Sequence, residues 1–317
     1  MNSDNDKNYI FEIIQKYLQN PPVIIWGSGA TIPFGMPSMS TLNEEIDKEF
    51  DEFDGSSNNL EEELGKEKYV DILPDIRKFI WGKIRNDDEK NIHEILCDIN
   101  KYGGIYKLIK KCIETAPKVM NIITTNYDRI LEHVMSYYNI SYTDGFNGKY
   151  LSLFDENAFK DKDIVNLIKV HGSLNWGKLE SDIRYITCKE SIEPVIIPPG
   201  KNKYQETYHT PYRELIQFSD RVIKNANSFM VVGFGFNDEH ITPKIKEKVE
   251  KGTPLVLITK SITSQTKIEL NKAKKLVLIE ENTEGKSHIF IKRDNNEENY
   301  YIDGNYWQLD KFMEEVL

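Results

Sequence analysis

Four apolar runs, each stopped by glycine or a small polar cluster, constrain this chain more than any other feature. Pro22–Trp26 runs into Gly27-Ser28-Gly29-Ala30-Thr31, with Gly35 and Pro37 close behind. Val119–Ile123 runs into Thr124-Thr125-Asn126-Tyr127-Asp128, Asp163–Val170 into His171-Gly172, and Ser228–Val232 into Gly233-Phe234-Gly235-Phe236-Asn237-Asp238. A short apolar run ended this way reads as a buried strand. When such strands alternate with helices they form a parallel sheet, and ligands bind outside its carboxyl ends.

The rest of the chain supplies the helices. Apolar spacing predicts helices over Asn8–Gln19, from Thr41 onward (capped by Ser40 or Thr41), and over 128–138, 211–226, 242–251 and 307–317. Further strands are expected at 193–197, 254–259, 276–279 and 289–291. Residues 40–117 lack strand signals and read as helices at 60–70, 72–84, 91–102 and 106–115. The expected fold is α/β: a Rossmann-like parallel sheet with helices on both faces. Residues 1–39 and 118–317 form its core, and 40–117 an inserted helical subdomain. The acidic clusters Glu44-Glu45, Asp51-Glu52 and Glu61-Glu62-Glu63 read as solvated helix faces.

Composition narrows the function. The 317 residues carry a net charge of −10 and no basic aromatic stripe, so nucleic acid is not an expected partner. No apolar run approaches the ~20 residues that span a bilayer, so no membrane is expected either. The N-terminus, Met1–Asn8, is polar and unlike a signal peptide, which points to the cytoplasm. Three cysteines, Cys97, Cys112 and Cys188, form no C-x-x-C pair, so they read as reduced thiols and no cysteine zinc site is expected.

The strand ends carry the chemistry. Gly27 and Gly29 allow close backbone approach, and N–H groups of the Gly27–Thr31 turn could cradle a phosphate. Its spacing is not the dinucleotide G-x-G-x-x-G, and a tight turn without ligand has the same pattern. Asn126 and Asp128 fall at the same sheet edge, although either could simply cap the next helix. His171 ends its strand there as well, and an imidazole can accept a proton near neutral pH. The other five histidines, His93, His133, His209, His240 and His288, have no comparable placement.

Taken in order, these segments resemble the sirtuin family over residues ~20–260. Gly27, Gly29, Thr31, Gly35 and Pro37 match its first glycine motif, with Ser28 and Thr31 in place of Ala and Ser. Thr124, Asn126 and Asp128 match T-Q-N-x-D with Thr125 for Gln, His171-Gly172 matches H-G, and Gly233–Asp238 resembles the later glycine strand end. Two departures stand out. The family's four-cysteine zinc module has no counterpart after His171-Gly172, where only Cys188 occurs. The segment matching the acyl-peptide strand is Val195-Ile196-Ile197-Pro198-Pro199, whose prolines cannot donate to a ladder.

With these departures the chain is similar to bacterial sirtuin-like NAD hydrolases of anti-phage defence. That resemblance implies cleavage of NAD+ to nicotinamide and ADP-ribose, with NAD+ as substrate, no other cofactor and no metal. It also implies a homo-oligomer, working with a partner ATPase or translocase. Asp128 would contact the nicotinamide carboxamide, Asn126 would orient water or ribose hydroxyls, and His171 would act as base. Gly27, Ser28, Gly29, Ala30, Thr31, Gly35 and Thr125 would hold the phosphates and ribose. Gly233, Phe234, Gly235 and Phe236 would pack the adenosine. The alternatives are an NAD-dependent protein deacylase and a non-catalytic NAD or ADP-ribose sensor.

Overall fold

The computed structural model describes residues 3–57, 60–146, 150–186, 193–200 and 209–316. Cys188 lies outside the described residues. Helix α1 (Ser3–Tyr17) is followed by β1 (Val23–Trp26), α2 (Met39–Glu49), α3 (Leu60–Leu64), α4 (Leu73–Cys97) and α5 (Gly103–Glu114). Then come β2 (Val119–Thr124), α6 (Ile130–Tyr137), β3 (Tyr142–Thr143) and β4 (Ile164–Lys169). β5 (Gly172–Leu179), β6 (Asp182–Tyr185) and β7 (Glu193–Ile196) precede α7 (Tyr212–Asn225), β8 (Phe229–Val232), α8 (Thr242–Glu250), β9 (Leu255–Ile258) and α9 (Ser264–Leu270). The chain closes with β10 (Lys275–Thr283), β11 (Lys286–Arg293), β12 (Asn296–Asp303) and α10 (Leu309–Val316).

Nine strands form one sheet in the order β12-β11-β10-β9-β8-β1-β2-β4-β3. Pairing is parallel from β10 through β3, and β11 and β12 add an antiparallel ribbon. Alternation along β1 assigns the two faces. Ile24 and Trp26 point into a core with α1, α4, α5, α6 and α10, while Val23 and Ile25 point into a second core with α7, α8 and α9. Buried residues of α2 to α5, among them Leu42, Leu60, Ile80 and Ile109, belong to the first core, so segment 40–117 and one sheet face share a continuous interior. β1 lies between β2 and β8, and connections leave it in both directions. The topological switch therefore falls at β1, and a crevice is expected at its carboxyl end.

Several expectations are corrected. The N-cap of α2 is Ser38, whose side chain accepts from the Thr41 N–H, rather than Ser40 or Thr41. The two helices expected at 72–84 and 91–102 are largely one 25-residue helix, α4, because the polar run between them is partly internal: Arg85, Asp88 and Asn91 are buried. Glu63, read as solvated, is buried and bonded to Tyr69 (2.7 Å) and Lys66 (2.5 Å). β5 carries a weak strand signal because Gly172, Asn175 and Gly177 interrupt its alternation, and β6 is only four residues long, two of them charged. They belong to a small antiparallel sheet, β6-β5-β7. β12 is acidic and half-exposed at a sheet edge, which hides its apolar periodicity.

Candidate active site

At the carboxyl end of β1 the chain makes its glycine turn. The turn is not an open anion cradle. Gly27 N–H donates to Val232 O (2.9 Å), Gly29 N–H to Gly233 O (2.9 Å), Ala30 N–H to Gly27 O (3.1 Å) and Thr31 N–H to Ser28 O (3.1 Å). The glycines are required by the neighbouring strand end. A Cβ on Gly27 would lie 2.4 Å from Gly233 O, and one on Gly233, at φ +58°, would lie 2.1 Å from Ala30 N. The two turns at the switch point thus interlock backbone to backbone.

This packing places the first polar group. Thr124, ending β2, donates its hydroxyl to Trp26 O (2.8 Å) and accepts the Asn126 N–H (3.0 Å). Asn126 then donates Nδ2 to Gly27 O (3.2 Å) and Thr31 Oγ1 (3.3 Å). With the amide nitrogen anchored, Asn126 Oδ1 is buried without a hydrogen-bond partner among the described residues. Such an acceptor invites an O–H or N–H donor from a ligand.

β4 delivers His171 to the same place. Its Nε2 lies 2.8 Å from Asp238 Oδ2, and both side chains are buried. Asp238 is itself fixed, its Oδ1 accepting the N–H groups of His240 (3.0 Å) and Ile241 (2.9 Å) before α8. A carboxylate seated on an imidazole orients the ring. Sequence reasoning placed Asp238 in the fourth segment but gave it no role. The usable signal was an Asp a few residues past a sheet-edge glycine turn, the same edge on which His171 falls.

Asp128 sits at the start of α6 with its carboxylate accepting the Ile130 N–H at 3.3 Å. Burial pushes its carboxyl up to about 6. Nearby Lys169 opposes the rise, and Asp88 and Glu132 add to it. Asp88 behaves oppositely: burial would raise it, but the His133 hydrogen bond and the Arg129 charge hold it at about 2.

Ser28, Thr31, Thr125, Asn126, Asp128, His171, Gly233, Phe234 and Gly235 line one cavity of about 350 Å³, together with Asp238. Gly27, Gly29, Ala30, Gly35 and Phe236 are not among its lining residues. Gly27, Gly29 and Ala30 stand behind the wall, and Phe236 is buried in the second core against Phe234. Glu61 of α3 also lines the cavity, on an opposite wall that is otherwise largely apolar: Met36 and Met39 with Leu42, Leu60 and Ile84 from α2, α3 and α4. Nothing in the sequence marked these five as site residues, because their spacing is that of ordinary core positions. Among the described residues, no group of three or more His, Cys, Asp or Glu is placed to hold a metal ion, and no helix is long and apolar enough to cross a membrane.

The SIR2-like domain profile matches residues 120–279, half of the chain and three of the four motif-bearing strand ends. The chain belongs to the SIR2-like family. Solved structures similar to this SIR2-like chain include one from work on the mechanism and regulation of Sir2 enzymes, at 14% identity and TM-score 0.49, covering 99% of this chain and 98% of that one. Another concerns sirtuin substrate affinity (14% identity, TM-score 0.45, 81% and 87% covered), and a third is Sir2Tm bound to a propionylated peptide (13% identity, TM-score 0.43, 81% and 86% covered). No curated protein matches the sequence. Sirtuin-like domains use NAD+ as substrate, so an NAD-dependent activity is the general reading for this family member.

Proposed function

We infer that this SIR2-like protein hydrolyses NAD+ at the nicotinamide N-glycosidic bond, releasing nicotinamide and ADP-ribose. The observation that carries the reading is the convergence of Asn126, Asp128 and the His171–Asp238 pair on one cavity at the switch point. Asn126 Oδ1 accepts from the attacking water or a ribose hydroxyl. His171, held on one ring nitrogen by Asp238, takes a proton through the other. Asp128 receives the carboxamide N–H of nicotinamide. The bond to the cationic nicotinamide breaks as water adds to the ribose carbon, so positioning matters more than acid catalysis. General-base help is worth ~10²–10⁴-fold. Ser28, Thr31 and Thr125 face the ribose and phosphates, and Gly233, Phe234 and Gly235 the adenosine side.

Hydrolysis is favoured over peptide deacylation by the segment after β7. The Tyr127 hydroxyl donates to Ile197 O, and the Ile197 N–H is already given to His171 O at 2.9 Å. Pro198 and Pro199 follow without N–H groups, so an added peptide strand finds little backbone to pair with. By the same resemblance we assign the protein to NAD depletion in anti-phage defence, as a cytoplasmic homo-oligomer that a partner ATPase could gate.

The test is incubation of the full chain with NAD+ alone, following nicotinamide and ADP-ribose by chromatography, beside an arm containing acyl-lysine peptide. Equal nicotinamide release in both arms is expected. Release only with peptide, accompanied by deacylation, would overturn the assignment.

A further inference from the structure

One peptide unit beside the cavity is held in an unusual way. The carbonyl of Asp128 accepts the Lys169 ammonium at 2.6 Å, and the N–H of the same peptide bond, that of Arg129, donates to Asp88 Oδ1 at 2.6 Å. Both gripping side chains are fully buried, Asp88 at 0% and Lys169 at 1% exposure. They come from opposite sides: Lys169 ends β4 of the sheet, and Asp88 lies on α4 of the helical layer.

Each grip is itself braced. Lys169 pairs with Glu132 at 2.6 Å, and Asp88 Oδ2 takes Arg129 Nε at 2.8 Å, the other Arg129 nitrogen at 2.7 Å and His133 at 3.3 Å. Arg129 is the N-cap residue of α6 and offers no side-chain cap. Asp88 therefore provides from another helix the acceptor that a carboxylate at the third helical position gives the N-cap N–H in a capping box, a position held here by Glu132, which pairs with Lys169 instead. An anion there also complements the positive end of α6.

We propose that Asp88 and Lys169 are positioning residues that clamp the Asp128–Arg129 peptide from two sides and so hold the Asp128 carboxyl at the cavity wall. The proposal rests on the role given to Asp128 above. Ile84, one turn before Asp88 on α4, lines the same cavity. Any displacement of α4 that reshapes the apolar wall must then also disturb Asp128.

A double-mutant cycle tests the clamp, with binding of carba-NAD+, a non-hydrolysable analogue, measured by calorimetry on the full chain. Asp88→Ala should weaken binding about tenfold with Asp128 present and less than about twofold in the Asp128→Ala background, since distinct residues acting through one another are non-additive. Equal factors in both backgrounds would overturn the clamp. Ile80→Ala, fully buried on the same helix and not lining the cavity, controls for general loosening and should leave binding within about twofold. Asp88→Asn keeps an acceptor for the Arg129 N–H and should recover most of the affinity. If the alanine variant fails to fold, Lys169→Met, which releases the Asp128 carbonyl from the other side, takes its place in the cycle with the same expected factors.

Amide hydrogen exchange at residues 129–134 reads the same grip without any ligand. Exchange about tenfold faster in Asp88→Ala and unchanged in Ile80→Ala is expected, and unchanged exchange in both would overturn the proposal. If the wild-type chain does not bind carba-NAD+, the NAD reading fails, and the exchange result alone decides the clamp.

Discussion

The two walls of the cavity are built on opposite principles. The sheet-side wall presents Asn126, Asp128, His171 and Asp238, each immobilised by hydrogen bonds, buried charge or a helix start, with Asn126 Oδ1 buried and without a partner among the described residues. The helical wall presents Met36, Met39, Leu42, Leu60 and Ile84, which offer shape and dryness, with Glu61 of α3 as a charged member beside them. A polar group aimed into such a space is worth more than in water, because the apolar wall lowers the local dielectric. Chemistry and exclusion of solvent are thus assigned to different layers, and the difference can be probed one wall at a time.

The largest effect should come from the polar wall. Asn126→Ala and His171→Ala should each lower NAD+ turnover by about 10³-fold or more while the melting temperature stays within a few degrees, and Asp238→Asn should lower it by about 10²-fold through a misoriented imidazole. Steady-state assays with a thermal melt on each variant check this. Full turnover by a folded His171→Ala protein would leave the polar wall without its base.

An intermediate effect concerns the same wall and pH. Folded Asp128 keeps its proton up to about pH 6, against an ordinary value of 3.8. Between those values the folded state binds more protons than the unfolded chain, so this contribution to stability is complete at about pH 4, declines as pH rises to about 6 and is gone above it. Asp128→Asn mimics the protonated form and should add on the order of 3 kcal/mol at pH 7. Asp144, pushed up to about 6 by burial and Glu132, shares the slope. Denaturant titrations at several pH values should therefore show the decline roughly halved in Asp128→Asn, whereas an unchanged slope would assign it elsewhere.

The smallest effect belongs to the apolar wall. Leu42→Ala should raise KM a few-fold with kcat nearly unchanged, the signature of lost uniform binding. A fall in kcat as large as that of His171→Ala would mean that the helical wall shapes the transition state too.

The same contrast explains what could be read from the sequence. The strand ends at Gly27, Asn126, His171 and Gly233 were legible, because buried parallel strands are apolar runs and their terminations are chemically abrupt. The reason for the glycines was not, since only the fold reveals that Gly27 and Gly29 face Gly233. Asp88 sat in a polar stretch that looked like a break between helices. Its partner Arg129 lies 41 residues away, beyond any local periodicity. The apolar wall was invisible for the complementary reason, as Leu42 and Ile84 repeat like any core residue.

The interlocked glycines at the switch point also bear on how such a chain can diversify. A single methyl at residue 233 collides with main-chain atoms that no rotamer change can move. Lineages seeking room for a bulkier nucleotide cannot widen the sheet at that seam. They must whittle the flexible methionines and leucines of the facing helices, so descendants should inherit a constant floor beneath a remodelled ceiling.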